Sequence, residues 1–353
     1  MKKIFYIKKL YKQIISVVIR MKRVIKFRKP PAITSTGSVV GAEEGKGPLA
    51  NEFDEIVEDM TFGEDSWEKA ESTLQKKAIE KAITKSGKSK SDIDILFAGD
   101  LLNQCTGSTF GIRDLSIPFA GMYGACSTMA LSLATASVFV ASSAVSTAIA
   151  ATSSHFCSSE KQFRFPLEYG GQRTPTAQRT CTAAGASIVE REDGKVLIDS
   201  IIYGKICDLG ITDANNMGAA MAPAAADTIS QFLMETGSQP DDFDLILTGD
   251  LGYVGSELLI KLLKKDYGYD ILHVHNDCGK MMFHRNSQDV HAGGSGCGCS
   301  ASILNSLIYR QLCEKELKNV LFVATGALLS PTSTMQGESI PGIAHGILLK
   351  GKE

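Results

Sequence analysis

Asp92–Leu101 reads D-I-D-I-L-F-A-G-D-L, and Asp242–Leu251, 150 positions further on, reads D-F-D-L-I-L-T-G-D-L. Each is a short apolar run that stops at Gly-Asp, the pattern of a strand buried on both faces and ended by a turn. A second pair follows. Gly124-Ala125-Cys126-Ser127 opens an apolar helix that leads to a strand at 148–153, and Cys299-Ser300 opens another that leads to 320–325. The same elements recur in the same order. One fold of two similar halves is therefore expected, with a site where the halves meet.

Around these anchors helices alternate with strands that lack a polar face. Trp67, Ala70, Leu74, Ala78, Ile79 and Ala82 fall on one side of a helix over Trp67–Ser86. Residues 126–142 are small and apolar almost throughout, which suits a helix covered on all sides. Ala183–Glu190 and Val196–Tyr203 read as two paired strands, and Pro30–Asn51 as a strand-poor lead-in rich in Gly, Pro, Ser and Thr. In the second half helices are expected at 224–235, 256–265 and 299–316, with strands at 243–248, 271–275, 320–325 and 343–349. The fold class is α/β, five layers (αβαβα) with an internal pseudo-twofold duplication. The expected divisions are 1–29, a basic extension; 30–216, the first half; and 217–353, the second half.

Composition narrows the function. At 353 residues with 44% hydrophobic and 22% charged content, the chain buries a large core. A formal net charge of −2 speaks against a general nucleic-acid binder. Nine cysteines without a secretory pattern fit reduced thiols and synthesis in the cytosol, and no stretch is long and apolar enough for a membrane helix. Residues 1–29 hold eleven Lys and Arg and no acid. They suit an anionic membrane surface; the preferred alternative is a start assigned upstream of Met21, because the segment stands outside the repeat.

Cys126 is the leading candidate for chemistry. At the first turn of a helix it meets orphan N–H groups, which are expected to lower its pKa and make it a nucleophile. The alternative is a small buried core residue. Asp100 and Asp250 are repeat-related carboxylates that either meet a cation or cap the helices after their strands. His273 and His275 alternate on a strand, and Cys297-x-Cys299 is short for zinc, so no metal site is expected. No cofactor is expected either.

G-A-C-S at the head of a central helix resembles the thiolase-like superfamily, which includes the ketoacyl synthases. A closer resemblance is carried by G-D-L-L-N-Q (99–104), G-A-C-S-T (124–128), A-A-T-S-S-H (150–155), E-K-Q-F-R-F-P-x-E-Y-G-G-Q (160–172) and M-G-A-A-M-A-P-A-A-A-D-T-I (217–229). H-N-D-C-G (275–279), A-G-G-S-G-C-G-C-S-A (292–301) and A-T-G-A-L-L-S-P (324–331) add to it. Together these are similar to the stage V sporulation protein AD family of spore-forming Firmicutes, over about residues 30–349. The resemblance implies a dipicolinic acid (pyridine-2,6-dicarboxylate) binding protein acting in uptake into the developing spore and release at germination. It implies a peripheral place at the forespore or spore inner membrane, beside channel proteins of the same sporulation operon, and a homodimer.

The superfamily's alternative is an acyl-transferring or condensing enzyme using Cys126. Condensation needs a second-half His and an Asn. Their places here hold Thr248-Gly249-Asp250 and Cys297 or Cys299. A carboxylate repels an oxyanion, so the chain is expected not to be an enzyme. His275 and His291 are the histidines able to replace the missing one. A dipicolinate site needs donors for two carboxylates and a flat slot for the ring. The backbone of Cys126 and Ser127, His155, and the loop cations Lys161, Arg164 and Arg173 are the expected donors, with the loop's other use being a dimer interface. Asp100 and Asp250 would meet the ion if the ligand arrives as its calcium chelate. His275 and Cys299 complete the expected ligand-binding set.

Overall fold

Trp67–Ser86 (α1) shows how local sequence sets the elements. The Ser66 side chain accepts the Lys69 N–H at its start, and Gly87 ends it in the left-handed region at φ 71°. The face carrying Ala70, Leu74, Ala78, Ile79 and Ala82 is fully buried, as the spacing predicts. The computed structural model describes residues 18–20, 22–163, 173–191 and 194–352. Most of the basic extension, and Arg164 with the loop to 172, lie outside the described residues.

The strands in chain order are β1 (Val18–Arg20), β2 (Val24–Phe27), β3 (Ala32–Gly41), β4 (Glu55–Val57), β5 (Ile95–Gly99), β6 (Phe119–Gly121), β7 (Thr147–Ser154), β8 (Arg179–Thr180), β9 (Ala183–Glu190), β10 (Val196–Ile202), β11 (Leu245–Thr248), β12 (His275–Asp277), β13 (Gly294–Ser295), β14 (Asn319–Ala327) and β15 (Gly342–Gly351). The first half runs β6-β5-β7-β9-β3 and the second β12-β11-β14-β15-β10, the same order twice. Each half thus repeats the other, and by pairing β10 stands with the second-half strands. The two five-stranded sheets join at a corner, where Ala32 and Ile33 pair with Leu197 and Val196.

Helices α2 (Thr106–Ile112), α3 (Thr128–Ala141), α4 (Phe156–Phe163), α5 (Met217–Thr236), α6 (Gly252–Leu262) and α7 (Cys297–Ile303) complete the layers. α1 and α2 cover the outer face of the first sheet, and α5 with α6 that of the second. α3 lies between, touching β5, β7 and β9 on one side and β14 and β15 on the other. Three apolar clusters fill the gaps, the central one including Met129, Leu133, Ile303 and Phe322. The central layer is tight: a Cβ on Gly298 would lie 2.0 Å from the Ala183 carbonyl oxygen.

Four expectations are corrected. The lead-in holds β3, a ten-residue strand buried along nearly its whole length. β9 and β10 are strands but not neighbours, because β3 pairs with both. The strand expected at 271–275 is displaced to 275–277, beyond the turn in which the Val274 N–H bonds the Ile271 carbonyl. The helix expected at 299–316 begins at Cys297 and passes through a π-helical turn at Leu304–Ile308. From residue 23 onward the N-terminal segment belongs to the fold: Arg23 and Val24 N–H groups bond Glu235, and β2 pairs with β10.

Candidate functional site

The head of α3 is a self-capped turn. Ala125 takes φ 50°, a left-handed conformation that costs an alanine about 1 kcal/mol. Ser127 Oγ donates to Gly124 O (2.6 Å) and Thr128 Oγ1 to Ala125 O (2.6 Å), while Gly124 N–H returns a bond to Thr128 Oγ1 (3.1 Å). The turn presents Cys126 at the floor of a cleft of about 600 Å³, mouth included. Ala125, Cys126, Gln178 and Ser295 line its depth; Leu101, Phe163, Met217, Ala327 and Leu329 give apolar walls; Tyr123, Ser159, Thr180 and Asn215 bring neutral polar groups.

Asp250 lies behind the floor, fully buried at the end of β11. Its carboxylate accepts from Gly296 N–H (2.8 Å), Ser295 Oγ (3.2 Å) and Thr325 Oγ1 (2.9 Å), and its charge acts on the Cys126 thiol. Burial raises Asp250 to about 6, opposed by those donors. The same contact reverses the expectation for Cys126. Burial, then the Asp250 charge, push the thiol well above its ordinary pKa, against the smaller lowering effect of Gly296 N–H and the Ser295 side chain. Burial and the neighbouring carboxylate thus favour the protonated thiol at Cys126.

Cys297, at the first position of α7, occupies the matching place in the second half. It packs with Cys126, Leu101 and Phe163, and its thiol donates to Ser153 O at 2.9 Å. Three groups therefore meet beneath the cleft: two helix-head thiols and one carboxyl.

The profile of the family described as "Stage V sporulation protein AD" matches residues 21–350. The chain is 47% identical over 324 residues to "Stage V sporulation protein AD" of Bacillus subtilis (strain 168), covering 92% of this chain and 95% of that protein. The chain belongs to the stage V sporulation protein AD family. Its fold is also that of 3-oxoacyl-[acyl-carrier-protein] synthase III from Aquifex aeolicus VF5, with a TM-score of 0.54 at 13% identity over 91% of this chain and 99% of that one. The priming beta-ketosynthase of the R1128 polyketide pathway gives 0.54 at 13% identity, over 95% and 99%. The thiolase-like architecture read from the sequence is thus present in this member of the sporulation family.

The structure separates the other expected site residues of this sporulation-family chain. Ser127 is buried and spends its hydroxyl on its own turn. His155 is fully buried and away from the cleft lining. Its Nδ1 accepts the Cys157 N–H (3.1 Å), so Nε2–H donates to Met60 O (2.8 Å), and the ring stacks on Trp67 at 5.7 Å. Lys161 pairs with Glu68 on the surface, and Arg173 with Asp289. Asp100 caps α2, accepting Ser108 N–H (2.7 Å), Ser108 Oγ (2.7 Å) and Leu102 N–H (2.8 Å). It lies beside Glu71, whose carboxyl is raised to about 8 by burial and then by Asp100. The expected symmetric pair is therefore split in use, since Asp277, not Asp250, holds the N–H groups at the start of α6.

His275 sits on the far edge strand, its Nε2 at 2.9 Å from Thr248 Oγ1, and burial, then Lys280, lower it to about 3. His291 pairs with Asp289 at 2.9 Å. Neither takes Cys126 as its partner. Cys299 is buried beside Cys181 in the central core; Cys297, not Cys299, meets Cys126. Tyr123, Ser159, Gln178 and Ser295 escaped the sequence reading. Tyr123 and Ser295 carried a signal, as the residues before G-A-C-S and G-C-G-C. Among the described residues no cluster of three or more His, Cys, Asp or Glu suits a metal, and no helix is long and apolar enough to cross a membrane.

Proposed function

We propose that this sporulation protein is a non-catalytic receptor whose cleft takes dipicolinate, free or as its calcium chelate. The observation that carries the reading is the Cys126–Asp250 contact. Acyl transfer needs a thiolate and donors aimed at a developing oxyanion. Here the thiol keeps its hydrogen, and a carboxylate stands where positive or neutral donors are required. Binding makes other demands, and the cleft meets them. Its apolar walls suit a flat ring, and its hydroxyl and amide groups offer hydrogen bonds to carboxylate oxygens.

Family membership supports the rest of the reading: uptake of the ligand into the developing spore, release at germination, and a peripheral place on the spore inner membrane. It also supports a homodimer working with channel proteins of the same operon. Calorimetric titration of the purified protein with dipicolinate tests the reading, and saturable binding with one site per chain is the expected result. The second reading, a condensing or acyl-transferring enzyme, is favoured by the synthase-like fold and by a thiol on the cleft floor. Incubation with acetyl-CoA followed by intact-protein mass measurement decides it: an acetyl increment on Cys126 supports the enzyme, and an unmodified mass the receptor.

A further inference from the structure

The cleft floor poses a charge problem for an anionic ligand. Asp250 is wholly buried, and the groups on its oxygens are neutral donors from β13, the head of α7, β14 and the head of α3: Ser295, Gly296, Thr325 and Cys126. The other titratable groups around it are acids or thiols. Asp277 of β12 is buried nearby, Cys297 packs on Cys126, Cys181, Cys278 and Cys299 lie in the core behind, and Glu160 of α4 lines the cleft wall. Among the described lining residues there is no Lys or Arg. A dicarboxylate that reaches Cys126 therefore brings negative charge toward negative charge in a water-poor place.

The thiol sharpens the problem. It owns a single hydrogen, which burial and then the Asp250 charge keep on the sulfur and which two carboxylates cannot both take. A ligand carboxylate at the sulfur competes with Asp250 for that hydrogen and finds only neutral donors, such as Tyr123, Ser159 and Ser295, around it. We propose that the free dicarboxylate binds together with one proton, held on Asp250. The proton comes from solvent and ends on the Asp250 carboxyl. That O–H then faces the Cys126 sulfur, and the thiol hydrogen turns from Asp250 to the ligand carboxylate. No bond to carbon forms or breaks. This rests on the receptor reading and deepens it. Asp250 positions the thiol hydrogen and sets the charge of the site. Its raised pKa of about 6 in the empty protein makes the proton accessible near neutrality. A calcium ion bound to the ligand supplies the same compensation, so the electroneutral chelate binds without the proton.

The experiment is calorimetric titration of the full chain with dipicolinate between about pH 5.5 and 8, in buffers of different ionisation enthalpy. Uptake of about one proton per ligand is expected near pH 8, falling toward zero near pH 5.5. Affinity weakens by up to about tenfold per pH unit above the Asp250 pKa. Asp250→Asn loses the proton uptake and the pH dependence. Should that variant not fold, the calcium chelate on the unaltered protein serves instead, and its affinity is expected to be flat with pH. Binding of free dipicolinate without proton uptake overturns the inference and leaves the receptor standing. Uptake that persists in Asp250→Asn places the proton elsewhere and overturns it too. Failure of both ligand forms to bind at every pH removes the receptor reading itself.

Discussion

Cys126 stands at the head of a helix, yet burial and then the charge of Asp250 push its thiol up. Its place at the head of a small-residue helix made Cys126 legible as a candidate and the repeated Gly-Asp made Asp250 one, but only the tertiary fold brings the charge of the one to bear on the other. The consequence is measurable. Asp250→Asn removes the charge that holds the thiol protonated, so iodoacetamide labels Cys126 faster at pH 8, by about tenfold for each unit of thiol pKa released. An unchanged labelling rate would mean that burial alone silences the thiol. His155 teaches the opposite lesson. Its place after a strand suggested a ligand donor, yet both ring nitrogens are engaged and the ring is packed against Trp67 and Phe62. His155→Ala is expected to cost about 2–4 kcal/mol in urea unfolding, through the cavity and the stranded Met60 carbonyl. Dipicolinate affinity of the folded fraction should stay within about twofold; a larger loss returns His155 to the site.

At the scale of elements, close approach explains both what sequence shows and what it hides. Gly298 heads α7 where it passes over β9, and an added Cβ would sit 2.0 Å from Ala183 O. Gly298→Ala therefore forces the two central-layer elements apart, at a cost above about 3 kcal/mol. Gly237→Ala is the contrast: it sits at φ 70° with open space around it, so the penalty is only the left-handed backbone, about 1 kcal/mol. Urea midpoints of the two variants should rank in that order, and equal midpoints would mean the central layer yields freely. The same tightness misled the reading of β3. Ala32–Gly41 is rich in Gly, Ser and Thr, a turn-like composition, because the strand lies under α1: a Cβ on Gly37 would stand 2.1 Å from Ala78 O. Ile95–Gly99 announced itself as an unbroken apolar run ended by Gly-Asp, and Trp67–Ser86 by its helical periodicity. The cleft walls did not, since Tyr123, Ser159 and Asn215 come from three segments whose meeting depends on tertiary packing.

Across the whole molecule, several buried carboxyls set the response to pH. Burial first raises Glu71 to about 8, Glu44 and Asp277 to about 7, and Asp250 to about 6. In the unfolded chain all four ionise near pH 4. The folded state then holds more protons than the unfolded one between about pH 4 and 8, so these groups stabilise most at the acid end and lose their contribution as pH rises through the folded values. Histidines act the other way. Burial lowers His275 to about 3 and His345 to about 4, and lowers His155 as well. Unfolded histidine binds a proton below about pH 6.5, so folding is weakened as pH falls past that point. The two sets oppose each other below about pH 6.5, and above it the carboxyls act alone. Buried thiols raised above their ordinary range, such as Cys278 and Cys297, extend the same slope into alkali. The urea midpoint is therefore expected to fall steadily from about pH 6.5 to 8.5. A midpoint that is level or rising over that interval would show that Glu71, Glu44 and Asp277 are ionised in the folded protein. Glu71→Gln separates the contributions: it removes one proton's worth of slope from the unfolded carboxyl value up to about pH 8, so the fall should become shallower throughout the interval from about pH 6.5 to 8.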